Sequence, residues 1–132
     1  MTSRIAAIKA TRPQIDLIQT LSTQQLIEHI AGRTSLNAGE ITEMAYELCH
    51  ALGFFLSMGQ PIHLEEVGTF TPDVRLDGTV FVHFRPSVEL KHRLNTPGAF
   101  SGRLRNRQNI GKTSDDLVTQ WNGEHPEDRV EE

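Results

Sequence analysis

Histidines, carboxylates and one thiol are the side chains here that can ligate metals or carry catalysis. His29, His50, His63, His83, His92 and His125 have no metal-ligand spacing. His63 and His83 can face each other across two strands, which reads as a surface pair rather than a zinc site. Cys49 lies in an apolar helical pattern without a nucleophile signature, so packing is its expected role. Glu65 and Glu66 are adjacent at a turn and point apart, which does not suit paired acid–base work. Gly111-Lys112-Thr113 looks like the end of a phosphate-binding P-loop, but Asn106 stands where the motif needs glycine. No catalytic constellation results. The expectation is a protein that is not an enzyme, with no cofactor, no metal and no small-molecule substrate.

The chemistry left is that of fixed charge. The formal net charge is -4, yet residues 75–112 carry eight basic groups against only Asp77 and Glu89. Residues 114–132 reverse this, with seven acids against Arg129. A basic block therefore adjoins an acidic tail. A solvated mixed-sign surface is the competing reading. Local charge, more than the total, decides contact with a polyanion.

The elements that must position those charges are legible in the 132 residues. Ordinary hydrophobic (37%) and charged (23%) fractions fit one soluble domain with extensions. A lone cysteine, no spanning apolar run and no secretory core at the N-terminus lead to a cytoplasmic expectation. Residues 4–10 read as an extended arm, broken at Arg12-Pro13. Ser22 with Gln25, and Asn37 with Glu40, are capping boxes opening two helices, the first over about residues 23–31 and closed by Gly32. Ile41, Met44, Ala45, Leu48, Leu52, Phe55 and Leu56 form a wide apolar stripe on the second, which Gly59 stops. So long an apolar helix favours a dimer, with Gly53 as a close-packing point.

Three strands follow: Ile62–Leu64, Val67–Val74 and Thr79–Phe84. Pro72 implies an edge or an irregularity, and Asp77-Gly78 a hairpin turn. Alternation puts Val80, Val82 and Phe84 on a core face, and Phe81 with His83 on an exposed one. Ser87–Leu94 reads as a short helix. Arg103, Arg105 and Arg107 alternate and would share one face of a strand as a basic stripe. Thr113 can cap a last helix whose apolar edge is Leu117, Val118 and Trp121, docking on the body. Residues 123–132 look disordered.

Gly68-Thr69-Phe70 and Phe84-Arg85-Pro86-Ser87-Val88-Glu89-Leu90-Lys91, with the long helix between Asn37 and Gly59, resemble the bacterial HU and integration host factor family of histone-like, nucleoid-associated proteins. The resemblance covers residues 22–96, flanked by an N-terminal arm (1–21) and a C-terminal extension (97–132). It implies an α+β fold with two N-terminal helices, a three-stranded antiparallel sheet with a short hairpin, C-terminal helices, and an intertwined homodimer around Phe55, Phe70 and Phe84. The partner implied is double-stranded DNA, not a membrane. The contacts would be largely sequence-independent, from Arg75, His83, Arg85, Lys91, Arg93, Arg103, Arg105 and Arg107 to phosphates. One departure is large. The family inserts a long β-arm carrying an intercalating proline, whereas only residues 71–83 separate Phe70 from Phe84 here. The implied function is thus DNA binding by a saddle with reduced or no bending. The alternative is an HU-like dimeric scaffold for protein assembly, with Phe81 and Trp121 marking the partner surface.

Overall fold

A computed structural model of the chain describes residues 2–130. Two compact units result: residues 20–100 form one, and residues up to 19 together with those from 101 onward form the other.

The larger unit opens with α2 (Thr23–Arg33) and α3 (Ala38–Ser57). Both expected capping boxes are present. Ser22 Oγ accepts from the Gln25 amide while the Gln25 side chain accepts from the Ser22 amide, and Asn37 and Glu40 do the same. Each box satisfies two of the amides a helix start leaves without partners. Gly32 lies inside α2 rather than closing it, because the helix runs on to a Thr34 cap. Gly59, at φ +81°, ends the α3 segment as expected.

The α3 stripe splits in two. Ile41 is buried and Ala45, Leu52 and Leu56 are half-buried, whereas Met44 (67% exposed), Leu48 and Phe55 stay open. The first set follows one line of the helix and packs inside the unit. The second lies about a fifth of a turn away and stays open within this unit. A Cβ on Gly53 would meet nothing within 4 Å, so the expected close packing there does not occur within one copy.

The sheet has the order β2 (Ile62–Leu64), β3 (Gly68–Val74), β4 (Val80–Pro86), all antiparallel. β3 is central, yet β2 ends its pairing at Phe70. Beyond that residue β3 has β4 on one side only, so Pro72 sits at a local edge where its missing N–H does no harm. Gly68 has φ +154°, and a Cβ there would strike the Arg85 carbonyl oxygen and lie 2.7 Å from the Phe84 ring. Only glycine permits that approach. Ser87 caps α4 (Val88–Asn95) and its amide donates to the Val67 carbonyl, fixing the helix to the β2–β3 turn.

The smaller unit corrects three expectations. Residues 4–10 are not extended: α1 spans Arg4–Thr11, opened by Ser3. The carbonyls at its end are taken by side-chain amides. Gln14 donates to Lys9, Asn106 to Ala10 and Arg12, and Asn109 to Thr11. Two of those residues lie almost a hundred positions away, so the end of the helix is not announced locally, although its Ser3 cap is a local start signal. The ladder of β1 (Gln14–Ile15) with β5 (Leu104–Arg105) and the packing of α1 on α5 (Ser114–Glu124) close the unit. Secondly, Leu117, Val118 and the half-buried Trp121 serve this unit, with Ala7 and Val130 beside Val118. Thirdly, residues 123–130 are ordered by contacts: Trp121 Nε1 donates to the Asp128 carbonyl, Asn122 accepts from the Val130 amide, and Val130 is buried. Positions 131 and 132 of the expected disordered tail lie outside the described residues.

Gly68→Ala should destabilise the chain by about 2–4 kcal/mol, from a strained φ added to a backbone clash; a urea titration reads this directly. At α5, Thr113 and Asp116 form a reciprocal capping box. Hydrogen bonds from the Thr113 amide and hydroxyl hold the Asp116 carboxyl below its ordinary value. A depressed folded-state value means that the stabilisation is present above the ordinary carboxylate range and is lost as pH falls through the folded one. Thr113→Ala removes the N-cap hydroxyl and should lower stability near neutral pH by about 1 kcal/mol, as cap truncations do, while the amide contact to Asp116 stays. The gap from the parent chain should narrow in acid, as thermal melts at the two pH values would show.

Candidate nucleic-acid interface

The three-stranded sheet sorts its side chains by period two. In the β3–β4 register Thr69 faces Arg85, Thr71 faces His83, and Asp73 faces Phe81. His63 of β2 pairs with Thr69, and its Nδ1 lies 2.9 Å from the Thr69 hydroxyl oxygen. One face thus carries two imidazoles, one guanidinium and two threonine hydroxyls. Arg75, just past β3, adds a second guanidinium, its Cζ lying 4.6 Å from the Phe81 ring centroid. Asp73 is the one carboxylate in these register pairs, and its Oδ1 accepts from the Val74 amide.

The hairpin that ends this face is closed by local bonds. The Arg75 amide donates to the Thr79 carbonyl and the Gly78 amide to the Arg75 carbonyl, both at 2.9 Å. Asp77 Oδ1 accepts from the Thr79 amide, and Thr79 holds the Asp77 carboxyl below its ordinary value. Gly78, at φ +90°, supplies the left-handed turn position.

The opposite face holds Phe70, Pro72 and Val74 against Phe84, Val82 and Val80. The Phe70 and Phe84 rings lie 4.8 Å apart, and α3 packs on β2 and β3. Here the expected exposures invert. Val80 (68% exposed), Val82 and Phe84 remain open within one copy, while Phe81 is half-covered. The guanidinium of Arg75 lies over the Phe81 ring, which sequence alternation alone cannot reveal.

The remaining expected contact residues are only partly gathered. His83, Arg85 and Arg75 share the polar face. Lys91 and Arg93 lie on α4 two positions apart, about 200° around a helix, so they point to different sides. Arg93 shares a small hollow with Glu66 and Glu89. Arg103, Arg105 and Arg107 belong to the other unit, and the three-residue stripe does not form. Arg107 enters a short 3-10 turn (Arg107–Asn109), and Arg105 Nε pairs with Asp16 at 2.6 Å. His63 shares this face with His83, as the expected surface pair, whereas sequence alone does not bring Thr69 and Thr71 to it. The paired register that brings them there is the missing signal.

No group of three His, Cys, Asp or Glu among the described residues is placed to hold a metal, and no helix among them is long and apolar enough to cross a membrane.

A two-helix base carrying a three-stranded antiparallel sheet and a following short helix is the architecture of HU proteins. The solved structure of a mutant HU from Thermotoga maritima is similar, with a TM-score of 0.50 at 18% identity, over 56% of this chain and 99% of that one. Residues 6–101 match the family model HU-HIG, described as an HU domain fused to wHTH, Ig, or Glycine-rich motif, and the chain belongs to that family. A comparison with curated proteins gives no significant match.

The Arg75–Phe81 contact has a measurable worth. A double-mutant cycle on Arg75→Ala and Phe81→Ala should give a coupling of about 0.5–1 kcal/mol in urea titrations, the size of an exposed cation–π pair. A coupling near zero would mean that the ring is not covered by that guanidinium in solution.

Proposed function

We propose that the chain is a histone-like DNA-binding protein that works as an intertwined homodimer and grips the phosphate backbone of double-stranded DNA without reading sequence. The observation that carries this is the two-sidedness of the sheet. One face offers Arg75, His83 and Arg85 among hydroxyls, and the other is apolar, with Val74, Val80, Val82 and Phe84 left open. Membership of the HU-HIG family supports the same reading. Lys91 and Arg93 add contacts from α4, with Arg93 contributing less because Glu66 and Glu89 stand beside it. Phe55, Phe70 and Phe84 form the shared core of the dimer. The activity is that of a binder rather than an enzyme, and the nucleoid is its place in the cell.

Bending is reduced or absent in this reading. Seven-residue strands reach about 23 Å at roughly 3.3 Å per residue, and most of that length lies over the body of the unit. No arm is left to wrap a duplex. A role in protein assembly would draw on an exposed Phe81, and its cover by Arg75 counts against that alternative.

Fluorescence anisotropy with a labelled duplex tests the proposal. Binding should be clear at low salt and should weaken steeply as salt rises, because each neutralised phosphate contributes about 0.9 to the slope of log affinity against log salt. Arg85→Ala should flatten the slope by about that amount. An absence of binding even at the lowest salt would overturn the proposal.

A further inference from the structure

We infer that the smaller unit carries its own phosphate-binding site, built on the β1–β5 ladder around Arg12, Arg103 and Arg105. The inference rests on the nucleic-acid reading above and adds a second, separate contact to it.

The ladder pairs Gln14 with Arg105 and Ile15 with Leu104, and the Asp16 amide donates to the Arg103 carbonyl at 2.8 Å. Period two then puts Gln14, Asp16, Arg103 and Arg105 on one face, with Ile15 and Leu104 on the other. Arg12 and Arg105 both line an open hollow of about 620 Å³, together with Pro13, Gln14, Ile15, Asp16 and Leu17, and Arg103 stands on the ladder face beside it rather than in its lining. Arg105 is held in place through its Nε by Asp16 at 2.6 Å. A guanidinium has five N–H donors in a planar fork, so one carboxylate contact at Nε leaves the terminal nitrogens for a bidentate anion. Arg12 and Arg105 against Asp16 leave the hollow positive, and Arg103 adds a further charge from the ladder face next to it.

The surroundings favour an anion as well. The end of a helix ordinarily presents bare carbonyls, which repel phosphate. Here the last carbonyls of α1 are taken by the side-chain amides of Gln14, Asn106 and Asn109. The negative end beside Arg12 is thereby muffled. The acids of α5 are engaged too: Asp115 pairs with Arg4, and Asp116 caps Thr113. The ligand class is a phosphodiester of the nucleic-acid backbone, which guanidinium forks suit without regard to base.

The test is the salt dependence of duplex binding by the full chain, measured by anisotropy. Arg12→Ala/Arg103→Ala should reduce the slope by about 1.8, two contacts at roughly 0.9 each. It should also weaken binding several-fold at low salt. Neither side chain serves Asp16, and a circular-dichroism melt would show whether the fold is kept. Arg12→Lys/Arg103→Lys, which retains both charges, should keep most of the slope and guards against an unfolded double variant. If Arg85→Ala weakens binding while Arg12→Ala/Arg103→Ala matches the parent chain in slope and affinity, this inference is wrong and the sheet-face reading stands. If the parent chain binds no duplex at all, both are overturned.

Discussion

The uncovered half of α3 is the constraint on which the larger unit depends. Met44, Leu48 and Phe55 follow one line of that helix, and the sheet adds Val80, Val82 and Phe84, all exposed within one copy. Burying a side chain of this size contributes roughly 1.5–3 kcal/mol. At 41–68% exposure about half of that remains to be gained at each, so the six together come to roughly 5–9 kcal/mol, within the range of the whole stability of an ordinary domain, some 5–15 kcal/mol. A chain that leaves so much open has its folding problem half solved. In the proposed homodimer a second copy with the same face open supplies the cover, since a two-fold interface matches like patches. The polar face of the sheet then points away from the shared core, which leaves its cationic side chains free for a polyanion.

Much of this could be read locally. Capping boxes at Ser22 and Asn37 need only four consecutive residues each, and the Asp77-Gly78 turn only two. The motifs around Gly68 and Phe84 hold because the backbone leaves no room for alternatives: a Cβ at Gly68 would strike the Arg85 carbonyl. What failed was non-local. α1 has a local start in its Ser3 cap, but it owes its end to Asn106 and Asn109 and its burial to Val118 and Val130, which no window of neighbouring residues contains. Trp121 and Asn122 hold residues 123–130, whose acidic composition alone reads as disorder.

The candidate site shows the same division. Alternation placed His83 on the right strand but could not tell which face stays open. That depends on the Arg75 guanidinium lying over Phe81 and on Val80, Val82 and Phe84 staying open within one copy. Spacing grouped Arg103, Arg105 and Arg107, yet the strand lasts only two residues, and Asp16 claims the middle arginine. Arg12 went unnoticed because the ladder that brings it near Arg105 joins the two ends of the chain.

Sedimentation equilibrium of the full chain, without DNA and over a wide concentration range, tests the central claim most directly. The account predicts a species of twice the chain mass that persists on dilution. Phe55→Asp should dissociate it and unfold the larger unit along with it. A stable, folded monomer at every concentration would contradict the account, since the apolar face of α3 and the sheet would then have no cover at all.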